Sequence, residues 1–305
     1  MNSSSNSTPE TPTNRLTLST EEVDKLLHQV KNDLRSNNFD RSDFKLIQQM
    51  IECMGDTRGM VRLGFAEALG VVGENAADPL MEALANHPNV VVQRAAAKTL
   101  TLIGDPKSIP VLLNSFLHDE DQVVRNSSIG ALARMGETVV PELLEIIANN
   151  DHDETIKGHA AWALAFIGVK AKEQIYAAID SNSDDLRSAV VGAILKIAEE
   201  EPEERAFTLL INSLQDSAIS VRSEAAAAVG NLGYKPAIPI LVQLLDNSEI
   251  ESRKSAALAL MKIKDTSSIA ILESAMQKES TEEVTQVIKL AINQLKRTSV
   301  DDEWE

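Results

Sequence analysis

One pattern recurs seven times along this chain and constrains its fold more than any other feature. The copies are VRLGFAEALGVVG, VQRAAAKTLTLIG, VRNSSIGALARMG, IKGHAAWALAFIG, LRSAVVGAILKIA, VRSEAAAAVGNLG and SRKSAALALMKIK. Their second residues, Arg62, Gln93, Arg125, Lys157, Arg187, Arg222 and Arg253, define repeat position 0 and follow one another at intervals of 31, 32, 32, 30, 35 and 31 residues. At position 7 stand Leu69, Leu100, Leu132, Leu164, Ile194, Val229 and Leu260. Apolar or small residues at positions 3, 4, 7 and 10 make one stripe of a helix. Shorter apolar segments lie between the copies: PLMEALANH, IPVLLNSFLH, VPELLEIIAN, AFTLLINSLQD, IPILVQLLD and IAILESAMQ. Pro110, Pro141 and Pro239 sit in their first turns, where a missing N–H costs nothing.

Each period therefore reads as helix, turn, helix. A hairpin this short cannot bury its own apolar faces, so successive hairpins must stack. The expected fold is all-α, a helical-hairpin solenoid of about seven repeats plus terminal helices. FKLIQQMIECM (44–54) supplies the first short helix and VTQVIKLAINQL (284–295) closes the far end. The array is expected over 19–297, between a Ser-, Thr-, Asn- and Pro-rich tail expected to be disordered (1–18) and an acidic tail (298–305) carrying Trp304. Aromatics are only 3% of the chain against 43% hydrophobic residues, which suits closely packed helices built on Ala, Leu, Ile and Val.

The V-R-x-x-A-A-x-A-L-G-x-I-G pattern over roughly 57–296 resembles HEAT-like repeats of the phycobilisome-lyase type. That family includes the E/F-type bilin lyases and the non-bleaching B protein of cyanobacteria, and the resemblance is nearer the second branch. It implies phycobiliprotein subunits as partners and a bilin, an open-chain tetrapyrrole, as ligand. It also implies a cytoplasmic location, peripheral at phycobilisomes, with no required cofactor.

A net charge of −17 argues against a nucleic-acid partner. No apolar run approaches the roughly 20 residues that span a bilayer, and the first residues lack the basic and apolar regions of a secretory signal. The single cysteine, Cys53, excludes an internal disulfide and reads as an inert buried thiol. His87, His118 and His152 fall in turns and read as surface residues; no metal-ligand spacing accompanies them. Asp121, Asp153, Asp184 and Glu249, which precede position 0, read as helix caps and as rungs of an acid–base ladder.

GHAAWALAFIG (158–168) departs most from the repeat. At about 100° per residue the buried stripe centres near roughly 320°, whereas Trp162 falls near 140°, Phe166 near 180° and His159 near 200°. These three should point away from the core, and the family resemblance places that side on the concave surface. The flanking repeats carry Gly130 and Gly192 at the position of Trp162, and Arg134 and Lys196 at the position of Phe166. Arg94 and Lys98 occupy the corresponding side of a further repeat. The expected site is an aromatic floor with glycine gaps and surrounding cations, suited to a flat anionic ligand such as a bilin. His159 is the candidate proton donor or acceptor. Chromophore removal during phycobilisome breakdown is the leading reading. Chromophore attachment to a phycobiliprotein cysteine and a non-catalytic interaction scaffold are the alternatives. The acidic stretch 198–206, inside the 35-residue interval, reads as a bend or a partner contact.

Overall fold

The computed structural model of the protein describes residues 18–301, with side chains to 297. Among the described residues all regular structure is helical. The helices are α1 (Thr20–Arg35), α2 (Phe44–Cys53), α3 (Gly59–Val72), α4 (Glu74–Asn86), α5 (Val90–Ile103), α6 (Ile109–His118), α7 (Gln122–Arg134), α8 (Val140–Ala148), α9 (Glu154–Ile167), α10 (Lys172–Ala177) and α11 (Asp184–Glu200). They continue with α12 (Glu204–Ser213), α13 (Ile219–Asn231), α14 (Ile238–Leu244), α15 (Ile250–Ile263), α16 (Ser268–Lys278) and α17 (Glu282–Asp301). The seven recurring segments are the odd-numbered helices α3 to α15. The six short apolar segments are α4, α6, α8, α12, α14 and α16.

The chain groups into two compact units, Met1–Ala131 and Leu132–Glu305. In the first, α3 packs between α1 and α5, with α2, α4 and α6 as the alternate layer. In the second, α9, α11, α13, α15 and α17 pack in succession, with α8, α12, α14 and α16 against them. Position 7 is buried in every odd-numbered helix from α3 to α15: Leu69, Leu100, Leu132, Leu164, Ile194, Val229 and Leu260 are all 0% exposed.

Position 11 explains where the helices stop. Gly73, Gly104, Gly136, Gly168 and Gly233 stand there, all with positive φ of 49° to 77°, a conformation that costs glycine nothing and lets the chain turn back. In the fifth repeat the residue is Ala198, and α11 runs on to Glu200, 17 residues against 14 in α9. The long interval thus begins as a helix that lacks its stop signal. In the seventh repeat Lys264 adopts φ 58°, ψ 31° without being glycine. Lys264→Gly should therefore stabilise the protein by about 1 kcal/mol, read as a higher urea midpoint at unchanged slope.

The acids after α11 turn inward on their own unit. Lys172 Nζ donates to Glu201 at 2.8 Å and Glu203 at 3.3 Å, and the Tyr176 hydroxyl donates to Glu203 at 2.7 Å. The Arg205 guanidinium lies 4.7 Å above the Tyr176 ring and pairs with Glu173. These contacts pin the inserted stretch to α10.

Helices α1 and α10 belong to neither recurring pattern. α1 begins on a capping box in which Ser19 and Glu22 bond each other's backbone N–H. α10 is six residues long and follows a 3-10 turn, so it has no periodicity to read. Of the acidic tail expected at 298–305, residues 298–301 belong to α17 and the rest lie outside the described residues. Of the tail expected at 1–18, residues 1–17 lie outside the described residues, as does Trp304.

Candidate functional site

Position 0 serves packing. Arg187 binds Asp216 of the next repeat through Nε and Nη2, both at 2.8 Å, and the Ser181 carbonyl at 2.8 Å. Arg253 repeats the arrangement with Glu279 at 2.7 and 3.1 Å and the Asn247 carbonyl at 2.9 Å. Arg222 donates to the Asp216 and Ser217 carbonyls and to Ser252 Oγ, and Lys157 binds Asp185. The Arg253 guanidinium, with burial opposing, holds the Glu279 carboxyl down at about 2. The expected caps are half correct. Asp121 accepts from the N–H groups of Val123 and Val124, and Asp153 from that of Ile156. Asp184 instead lies inside α11, which Ser183 caps. Glu249 precedes α15 without a side-chain cap bond.

Gln93 is the one uncharged residue at position 0, and Arg94 takes over its rung, gripping Asp121 through Nε and Nη2. That bidentate bond holds the Asp121 carboxyl at about 2. His87 departs from the expected surface histidine. Its side chain is 9% exposed, with Nε2 3.2 Å from Glu52 Oε2 and Nδ1 accepting the Asn89 N–H. Cys53 is buried as expected, its thiol pushed up to about 11 by burial and by Asp56 and Glu52.

Trp162 and Phe166 are 51% and 53% exposed, with ring centroids 5.6 Å apart and planes tilted by 31°. Their outward phase follows from the repeat, because Ala160, Ala163, Leu164 and Ile167 of the same helix are buried. His159, on the same side, is half-buried. The surroundings differ from the expected constellation. A Cβ added at Gly192 would meet Glu224 Oε1 at 3.3 Å, so that space faces a carboxylate and not the indole. Lys196 is paired with Glu199 at 2.7 Å on its own helix, and Arg134 is exposed. Gly130, Arg94 and Lys98 belong to the first unit, while Trp162, Phe166, Arg134, Gly192 and Lys196 belong to the second.

Arg94 and Lys98 line a groove of their own unit, about 570 Å³ in volume, between α3, α5 and the start of α7. This is within the roughly 300–1,000 Å³ of small-molecule sites. Its walls are Leu63, Ala66, Val91, Ala95, Leu102 and Val123, with Arg62 as a third cation and no carboxylate among the lining residues. Leu63, Leu102 and Val123 are exposed, Leu102 by 55%. Arg62 donates its Nη1 to the Asp56 and Thr57 carbonyls at 2.7 and 2.9 Å. Lys98 is exposed. In a chain of net charge −17, this groove is an apolar floor under a cationic rim. The same phase argument that singled out Trp162 could have found it: Leu102 stands at the position of Phe166, and Lys98 at that of Trp162.

Among the described residues no group of three His, Cys, Asp or Glu side chains is placed to hold a metal ion. No described helix is long and apolar enough to cross a membrane.

Stacked hairpins, ladder arginines and a recurring position-7 leucine define a HEAT-repeat protein. The chain belongs to that family: it matches HEAT repeats over residues 45–133, 77–165, 117–195 and 207–293. It is also 38% identical to the bilin biosynthesis protein MpeU of Synechococcus sp. (strain WH8020), over 92% of this chain and 94% of that protein. The two belong to one family, the phycobilisome-lyase type of HEAT repeat that the sequence pattern resembles. The phycocyanin operon protein Z of Pseudanabaena tenuis (strain PCC 7409) is 27% identical over 37% of this chain and 59% of its own length. The karyopherin Kap121p, in a complex with the SUMO protease Ulp1p, shares the fold at a TM-score of 0.57 and 14% identity, covering 92% of this chain and 38% of the karyopherin.

Proposed function

We propose that this chain has a bilin-related role at the phycobilisome, holding the open-chain tetrapyrrole in the α3–α5 groove for attachment to a phycobiliprotein cysteine. The observation that carries the reading is the groove itself. Leu63, Leu102 and Val123 offer apolar surface to the conjugated pyrroles, and Arg62, Arg94 and Lys98 line the same groove, cations that suit a ligand with two propionates. Arg94 is already neutralised by Asp121 and Arg62 is bonded to two carbonyls, so the exposed Lys98 is the cation best placed to meet a propionate. The relative named for bilin biosynthesis favours attachment over the removal reading taken from the sequence.

Attachment adds a thiol S–H across a carbon–carbon double bond of the bilin. The sulfur forms the new C–S bond and the proton goes to the neighbouring carbon, so no oxidant or reductant is consumed. The thiol comes from the phycobiliprotein, because Cys53 is buried and its thiol is held protonated. What the chain contributes is binding and orientation of the bilin.

Incubating the protein with apo-phycobiliprotein and free bilin should raise the fraction of chromophore that survives acid–urea denaturation. Loss of chromophore from intact phycobiliprotein, with no gain on apoprotein, would assign removal instead and overturn the attachment reading.

A further inference from the structure

The second unit carries a cleft of about 410 Å³ across α9, α11 and α13, separate from the α3–α5 groove. Gly158, Ala161, Ala165, Ala189 and Gly192 keep it open. Four charged side chains face it: Glu154, Lys157, Asp185 and Glu224. Lys157 and Asp185 neutralise each other. Two carboxylates remain, of which Glu154 is exposed and Glu224 half-buried over Gly192. Among the described residues Glu224 has no hydrogen-bond or ion-pair partner, and burial pushes its carboxyl above the usual range. Withdrawing a carboxylate from water without a partner is unfavourable, and a cationic ligand would recover that cost.

One residue beyond Ala161 and Ala165, about 100° further round α9, stand the half-exposed rings of Trp162 and Phe166. A small-residue cleft ending on a lone carboxylate, beside two exposed aromatics, matches one side chain in particular. A guanidinium is a planar cation that stacks on aromatic faces and bonds carboxylates through a fork of N–H donors. Charge complementarity therefore selects a basic segment.

We propose that the α9–α11–α13 cleft and the Trp162–Phe166 pair form the docking surface for an arginine-bearing segment of the phycobiliprotein subunit, the arginine reaching Glu224 and the rest of the segment covering the two rings. This rests on the phycobilisome role proposed above and adds where the acceptor protein sits. The test is binding of apo-phycobiliprotein subunit to the full-length protein by interferometry at low and high salt, with a parallel titration of free phycocyanobilin. Glu224→Gln should weaken subunit binding about tenfold or more and flatten its salt dependence, and Trp162→Ala should weaken it by a similar factor. Both variants should keep the wild-type bilin titration, so a failure of the bilin reading would show in that titration alone. Subunit binding unchanged in Glu224→Gln, absent in the wild type, or lost together with bilin binding would overturn the proposal.

Discussion

Lys98→Glu should weaken phycocyanobilin binding by about 10- to 100-fold, the loss expected when a charge-assisted hydrogen bond worth about 1.5–3 kcal/mol is removed. Lys98 is exposed on the rim of the α3–α5 groove, so reversing its charge leaves the packed face untouched. The new carboxylate would also repel a propionate. Leu102→Asp should act in the same direction by placing a charge on the apolar floor, and since Leu102 is 55% exposed the fold has little to lose. The control is Lys196→Glu, in the other unit and already paired with Glu199. Its titration should match the wild type. Equal weakening by all three variants would mean that general electrostatics, and not this groove, draws in the anionic ligand.

Leu164→Ala should destabilise the protein by about 2–5 kcal/mol, the range for emptying a fully buried leucine site. Leu164 is 0% exposed at the centre of α9, and the stacked helices around it are rigid enough that collapse can fill only part of the cavity. The measurement is urea unfolding, with Ala161→Ser as a companion because Ala161 lines an open cleft. The companion should stay within about 0.5 kcal/mol of the wild type. A small effect at Leu164 would mean that position 7 does not hold the core.

The fold was largely legible because its determinants repeat. Each position-7 residue is buried in its own copy, and each position-11 glycine takes a positive φ. Where a copy breaks the pattern the structure follows: Ala198 lets α11 run on, and Gln93 passes its rung to Arg94. α10 had no pattern to read. The site was only partly legible. Helical phase correctly turns Trp162 and Phe166 outward. Phase cannot show what a long side chain reaches, and the partners of Arg94 and His87 lie 27 and 35 residues away. Leu63, Leu102 and Val123 come from three different helices, so no single copy displays the groove they line.

The visible spectrum of phycocyanobilin titrated with the wild-type protein and with Leu102→Asp decides whether the α3–α5 groove holds the bilin. A bilin held extended against an apolar wall should give a red-shifted, sharpened band with the wild type, and the free-bilin spectrum at the same concentration of Leu102→Asp. An unchanged spectrum with saturating wild-type protein, or a full shift with Leu102→Asp, would contradict the assignment of the α3–α5 groove as the bilin site.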